Sequence, residues 1–241
     1  MTGVQTCALP ISARGSLKLA TTGDIKVETM QMANGGSLVK TGSGAATLKN
    51  MPVTKETTLN AETNGLTIEN MNLGNALLKN ISAADISVQN FTAQTGGRLF
   101  LGSDAAVLTD KLSGDLNVLK NATMNPDGTV TANNGKFRFR EVDATRQNRL
   151  TLSAVGMALE DTRIGSAEEQ QAKRKRNEKA LLSLYRQSIQ ADIAPEAIVQ
   201  SNTYKAPDGT QKQGYRINHL SVNLATMESL TASSATAFGR G

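Results

Sequence analysis

A parallel β-helix with about 20 residues per coil, followed by a helix and a short β segment, is the fold this sequence predicts. Three observations carry it. Asparagine recurs at Asn50, Asn60, Asn70, Asn80 and Asn90, each closing a short extended run: "ATLKN", "TTLN", "LTIEN", "LLKN" and "SVQN". Apolar residues keep a finer beat of five through Leu66, Met71, Ala76, Ile81, Ile86 and Phe91, repeated two places on at Ile68, Leu73, Leu78, Ala83, Val88 and Ala93. Aromatic residues make up only 3% of the 241, with no Trp, so one core built around large rings is excluded.

Residues two apart share one side of an extended strand, so each apolar pair points inward while its neighbours point out. A helix would need mixed spacings of three and four. A short strand cannot bury one side alone, but stacked coils give a continuous interior in which each methylene removed from water is worth roughly 0.8 kcal/mol. Ile68, Leu78 and Val88 are thereby placed inside. At 20 residues per coil Asn50, Asn70 and Asn90 superpose, as do Asn60 and Asn80. Asparagine tolerates turn geometry and its amides can bond along a stack, so all five are read as corner devices.

Taken in order, residues 1–15 stand apart. "MTGVQTCALPIS" has no basic n-region and too short an apolar stretch for a signal peptide. It resembles the translation of a sequencing-library adapter, which makes Cys7 incidental and the chain a fragment of a longer parent. The β-helix is expected over 16–165. Its later part, with "GGRLFLGSD" and "NPDGTVTANNGKFRFREVD", carries turn signals that predict wider loops. "KFRFREV" alternates, with Phe137, Phe139 and Glu141 on one side.

Composition changes at Ser166. Ser166 and Glu169 form a capping-box pattern, with Glu168 and Glu169 at the favourable end of a helix dipole. Leu181, Leu184, Tyr185 and Ile189 make a helical stripe in the second half, and Pro195 bounds the segment, so a helix is placed within 166–195. The run Lys173, Arg174, Lys175, Arg176 is the densest charge in the chain. It reads either as an anion-binding surface or as a solvated helix face. Flanking Glu169 and Glu178, and the lack of interleaved aromatics, favour the second and make a nucleic-acid partner unexpected. Residues 196–241 give a turn, short strands and a loose tail. His219 has no second His or Cys near it and is read as a strand residue, not a ligand.

The chemistry-bearing patterns are thin. Much of the net charge of +5 sits in one segment, one Cys excludes an internal disulfide framework, and no run is long enough for a membrane helix. No phosphate-cradling loop or calcium repeat occurs, and no cofactor is expected. Asp24, Asp85, Asp104, Asp110 and Asp115 could in principle pair across coils as in polysaccharide-cleaving β-helices. Asn80, Asn90 and Asn121 head nominal glycosylation triplets.

"GGSLVKTGSGAATLKN" resembles the repeat of autotransporter passenger regions through Gly36, Leu38, Lys40, Gly42, Gly44, Thr47 and Leu48. The connector "MPVTKE" departs from that family's pattern. Coils such as "GDIKVETMQMANGGSLVKTG" are similar to the filamentous haemagglutinin class of bacterial exoproteins. Either resemblance implies a right-handed solenoid, secreted or on the outer cell surface, serving as an adhesin stalk or binding scaffold. It also implies a host or neighbouring-cell ligand and coil-to-coil continuation in the parent chain. The square coil of pentapeptide-repeat proteins is disfavoured by large residues at Leu66, Met71, Ile81, Ile86 and Phe91. A polysaccharide-cleaving enzyme and a lipid-transport β-groove are the alternatives.

Overall fold

Buried side chains in each coil come two apart, and between these groups the alternation slips by one residue. In the coil that starts at Leu66 the buried positions are Leu66, Ile68, Met71, Leu73, Ala76, Leu78, Asn80 and Ser82. Where two neighbours both face out, as Glu69 and Asn70 do, the strand bends and a new side begins. The structure is a computed structural model. It describes residues 5–7, 15–32, 35–143, 145, 148–155, 159–191, 199–205, 211–217 and 220–222, with side chains described over 15–32, 35–143, 145, 148–152 and 159–190.

The strands are β1 (Gln5–Cys7), β2 (Ser16–Ala20), β3 (Ile25–Thr29), β4 (Ser37–Thr41), β5 (Ala46–Val53) and β6 (Thr57–Ala61). Then come β7 (Leu66–Leu73), β8 (Leu77–Asn80), β9 (Ile86–Leu101), β10 (Val107–Met124), β11 (Val130–Ala132), β12 (Phe137–Val142) and β13 (Asn148–Val155). After the helix α1 (Ala167–Ser188) follow β14 (Ile189–Ala191), β15 (Val199–Lys205), β16 (Gln211–Ile217) and β17 (Leu220–Val222). Strand accounts for 55% of the chain, wound as a parallel β-solenoid of about 5 turns at ~21 residues per turn.

Three parallel ladders run along the solenoid. The first links β3, β5, β7, β9, β10, β12 and β14 in succession. The second uses the later halves of the bent strands, aligning Met51 with Met71 and Met71 with Phe91, and then Phe91 with Leu112. The third links β2, β4, β6, β8 and the ends of β9 and β10, then β13. The final coil is wider, since Val107 pairs with Phe137 and Asp115 with Arg149. The extra residues form the hairpin of β10 and β11, closed by the Asn125–Gly128 turn.

Stacking forces backbone against backbone at the corners. Gly42 has φ +86°, and a Cβ there would sit 2.0 Å from the Thr21 carbonyl oxygen, so the turn admits only glycine. Inside, Leu48, Ile68, Met71 and Phe91 are completely sealed from solvent. Phe91 meets Phe137 edge to face at 5.6 Å, and Phe139 lies 5.7 Å from Phe137, filling the wider last coil.

The helix begins as its sequence predicts. Ser166 accepts from the Glu169 amide, and the Glu169 carboxylate accepts from the Ser166 amide. Leu181 and Leu184 are buried and Tyr185 packs partly against the same core, beside β11, β14 and β10. The helix therefore covers the last coil.

Several expectations are corrected. Asn60 and Asn80 do not superpose: Asn80 lies in register with Leu59, and Asn60 with Val39. Three residues separate Val53 from Thr57, but four separate their counterparts Leu73 and Leu78. That one-residue gain reverses which side chains face in. Ile81, at 44% exposure, and Ala83 consequently face out, against the five-residue beat, while Asn80 and Ser82 face in. Asn80 is a buried residue, not a surface corner, and is closed to glycosylation. Glu141 is exposed, unlike Phe137 and Phe139, because a bend falls at Arg140 and Glu141. Ile189 is not helical: α1 stops at Ser188, and Ile189 pairs with Phe137 as the first residue of β14. His219 and the tail beyond Val222 lie outside the described residues.

Candidate functional site

The corner between the first and second ladders carries the asparagine column. Asn50, Asn70 and Asn90 are in register. Asn70 Nδ2 donates to Asn50 Oδ1 at 3.4 Å, and Asn90 Nδ2 to Asn70 Oδ1 at 3.1 Å. Each amide also donates to a backbone carbonyl of the preceding coil, those of Glu28, Lys49 and Glu69. Lys111 follows Asn90 in the column and forms an ion pair with Glu141 at 3.6 Å. The column is structural.

The aspartates are occupied in a similar way. Asp24 accepts from the Ala45 amide at 3.1 Å, Asp85 from Ala106 at 2.8 Å and Asp104 from Asn134 at 2.6 Å, each reaching the next coil. Asp115 holds Arg149 in a two-point pair with contacts of 3.1 and 2.6 Å. Asp110 lines a groove. Among the described residues no three His, Cys, Asp or Glu side chains gather where a metal could sit.

That groove lies on the outer face of the first ladder and has a volume of about 300 Å³. Thr67, Ser87 and Leu108 are successive members of one outward column, which ends at Arg138 and Gln190. Gln89, Asp110 and Arg140 line the groove one strand position pair further on. Phe137 and Phe139 must face in to fill the core, so Arg138 and Arg140 necessarily face out. Some outward charges of the stack are paired, Lys49 with Glu28 at 2.7 Å and Lys79 with Glu56 at 2.5 Å. Arg138 and Arg140 have no such partner among the described residues. The signal for them was present in "KFRFREV", on the strand face opposite the phenylalanines.

The basic run on α1 is divided by the fold. Arg176 holds Glu160 with two hydrogen bonds, at 2.6 and 2.9 Å, and these keep the Glu160 carboxyl below its ordinary range. Lys173 donates to the Ile164 carbonyl at 2.8 Å. Both thereby tie the helix to the segment before it, while Arg174 and Lys175 are exposed. The solvated-face reading accounts for this arrangement without a ligand.

Two lysines were not anticipated as core residues. Lys40 is fully buried, and its Nζ donates to the Gly42 carbonyl and Thr63 Oγ1 at 2.9 Å each, and to the Asn64 carbonyl. Its parity with Leu38 in the strand was the available signal. Lys120 is also fully buried and donates to the Gly135 carbonyl at 2.6 Å. Burial, with Lys136 nearby, pushes it down to about 8, partly opposed by Asp104. Lys40, Asn80 and Lys120 all lie at or near the ends of third-ladder strands.

Comparison with protein-family profiles, curated proteins and solved structures finds no match in any of the three.

Proposed function

We propose that the chain is a non-enzymatic repeat segment of a secreted or surface-exposed bacterial protein, acting as a stalk and binding scaffold. The observation that supports it most directly is the use of corner side chains. Asn70, Asn90, Asp24, Asp85 and Asp104 each bond to a neighbouring coil, giving a regular scaffold whose length grows one coil at a time. The three aspartates are each engaged by a backbone amide of the next coil. A polysaccharide-cleaving reading gains no support from them. A lipid groove would need an open apolar face, whereas the apolar side chains of the central coils are sealed.

Continuation with further coils belongs to the same proposal. Leu17 and Leu19 in the first coil are only half-buried, and a stacked coil would cover them as the second coil covers Leu38. No described helix is long and apolar enough to cross a membrane. Fractionation of the complete parent protein tests the reading. Recovery at the cell surface or in the medium is expected, and recovery solely in the cytosol would overturn it.

A further inference from the structure

We propose that the Arg138–Arg140 groove binds an acidic saccharide through a ring carboxylate and its neighbouring hydroxyls, which deepens the scaffold reading and rests on it. Both guanidinium groups lie two residues apart on one strand, exposed, on the same outward face. Neither makes an ion pair among the described residues, whereas Lys49 and Lys111 are paired with Glu28 and Glu141. A planar guanidinium presents parallel donors that match a carboxylate, with a charge retained at any working pH. The arrangement sets two cations against the one carboxylate of Asp110, leaving the groove net positive.

The remainder of the lining narrows the ligand class. Thr67, Ser87 and Gln89 offer hydroxyl and amide groups, and Asp110 offers an acceptor for paired hydroxyls. No aromatic side chain lines the groove, so it offers no stacking platform for the bases of a nucleic acid. An extended acidic peptide is disfavoured for a different reason. The strands on this face are hydrogen-bonded on both sides, β9 to β7 and β10, and β10 to β9 and β12. No free edge is available there for a peptide to add as a strand. A sugar acid carries one carboxylate and several hydroxyls per ring, which fits a mixed lining of two cations, one acceptor and three neutral polar groups.

Titration calorimetry of the full 241-residue chain would test this with a short oligogalacturonate, its methyl ester, free galacturonate, a poly-glutamate peptide and inorganic phosphate. Oligogalacturonate should bind, and free galacturonate more weakly. Methyl esterification, or Arg138→Gln with Arg140→Gln, should weaken binding by about tenfold or more, with the variant's thermal melt unchanged. Arg138→Lys with Arg140→Lys should recover only part of the loss, since the fork is gone while the charge stays. Equal binding of the ester, or equal binding by the folded Gln variant, would overturn the proposal. Poly-glutamate or phosphate binding as tightly as oligogalacturonate would overturn the saccharide assignment. Either failure leaves the scaffold reading to its own test, because fractionation does not depend on this groove.

Discussion

Asn80 lies over Leu59 in the adjoining coil, although Asn60 stands twenty residues before it in sequence. Its Oδ1 accepts from Ser82 Oγ at 2.6 Å, Ser82 Oγ accepts from the Ala61 amide at 2.8 Å, and Asn80 Nδ2 has no partner among the described residues. Asn60, half-exposed in the register of Val39, takes no part in this chain of bonds. Two residues with the same place in the repeat thus carry different roles.

Alanine at the two positions should separate them. Asn80→Ala removes the acceptor from buried Ser82 and opens a cavity, so a loss of about 1–3 kcal/mol is expected. Asn60→Ala should stay within about 0.5 kcal/mol. Urea midpoints give the comparison, and equal midpoints would place Asn80 outside.

Burial of Ile68 leads to a larger effect. Ile68→Asp puts an unpaired carboxylate where exposure is 0%, and should cost several kcal/mol, about 3 or more. Glu69→Ala, one residue on and facing out, should change stability by no more than about 0.5 kcal/mol. A thermal melt of both variants decides whether the inward face is assigned correctly.

Lys120 makes stability depend on pH. Its folded pKa, about 8, lies below the ordinary value of 10.5, so the unfolded chain binds the proton more tightly. The destabilisation is fully present below about 8 and fades as pH rises toward 10.5; Lys40, lowered by burial, acts in the same direction. Tyr185 opposes them above pH 10, since burial pushes its folded pKa to about 12 and the unfolded phenol ionises first. Unfolding free energy should therefore climb between pH 8 and about 10, by an amount on the order of 2 kcal/mol. In Lys120→Met the climb should largely vanish. An unchanged slope in that variant would assign the effect elsewhere.

Removal of residues 166–241 should expose the last coil. Ile189 pairs with Phe137, and Leu181 and Leu184 are buried against the core, so the truncation opens both a strand edge and apolar surface. Aggregation at micromolar concentration is expected by light scattering, whereas a monomer of unchanged stability would deny α1 its capping role. The milder Ser166→Ala should cost only about 1 kcal/mol, the loss of one cap.

By itself the sequence determined the kind of stack. Alternation of apolar residues fixed extended strands, the recurrence near twenty fixed coils, and Asn50, Asn70 and Asn90 marked one corner correctly. Ser166 with Glu169 fixed where the helix starts. These are local signals, legible because strand period, turn chemistry and caps act over a few residues. Tertiary structure decided the register between coils. A single residue gained between Leu73 and Leu78 turned Asn80 and Ser82 inward and Ile81 outward, since a strand's side-chain period is two. It also decided the fate of Lys40, whose ammonium can be buried only because Thr63 and Asn64 of the next coil join its own turn's Gly42 as acceptors. The groove at Arg138 and Arg140 has the same origin. Two phenylalanines fill a wide coil, and the residues between them have only the outer face left.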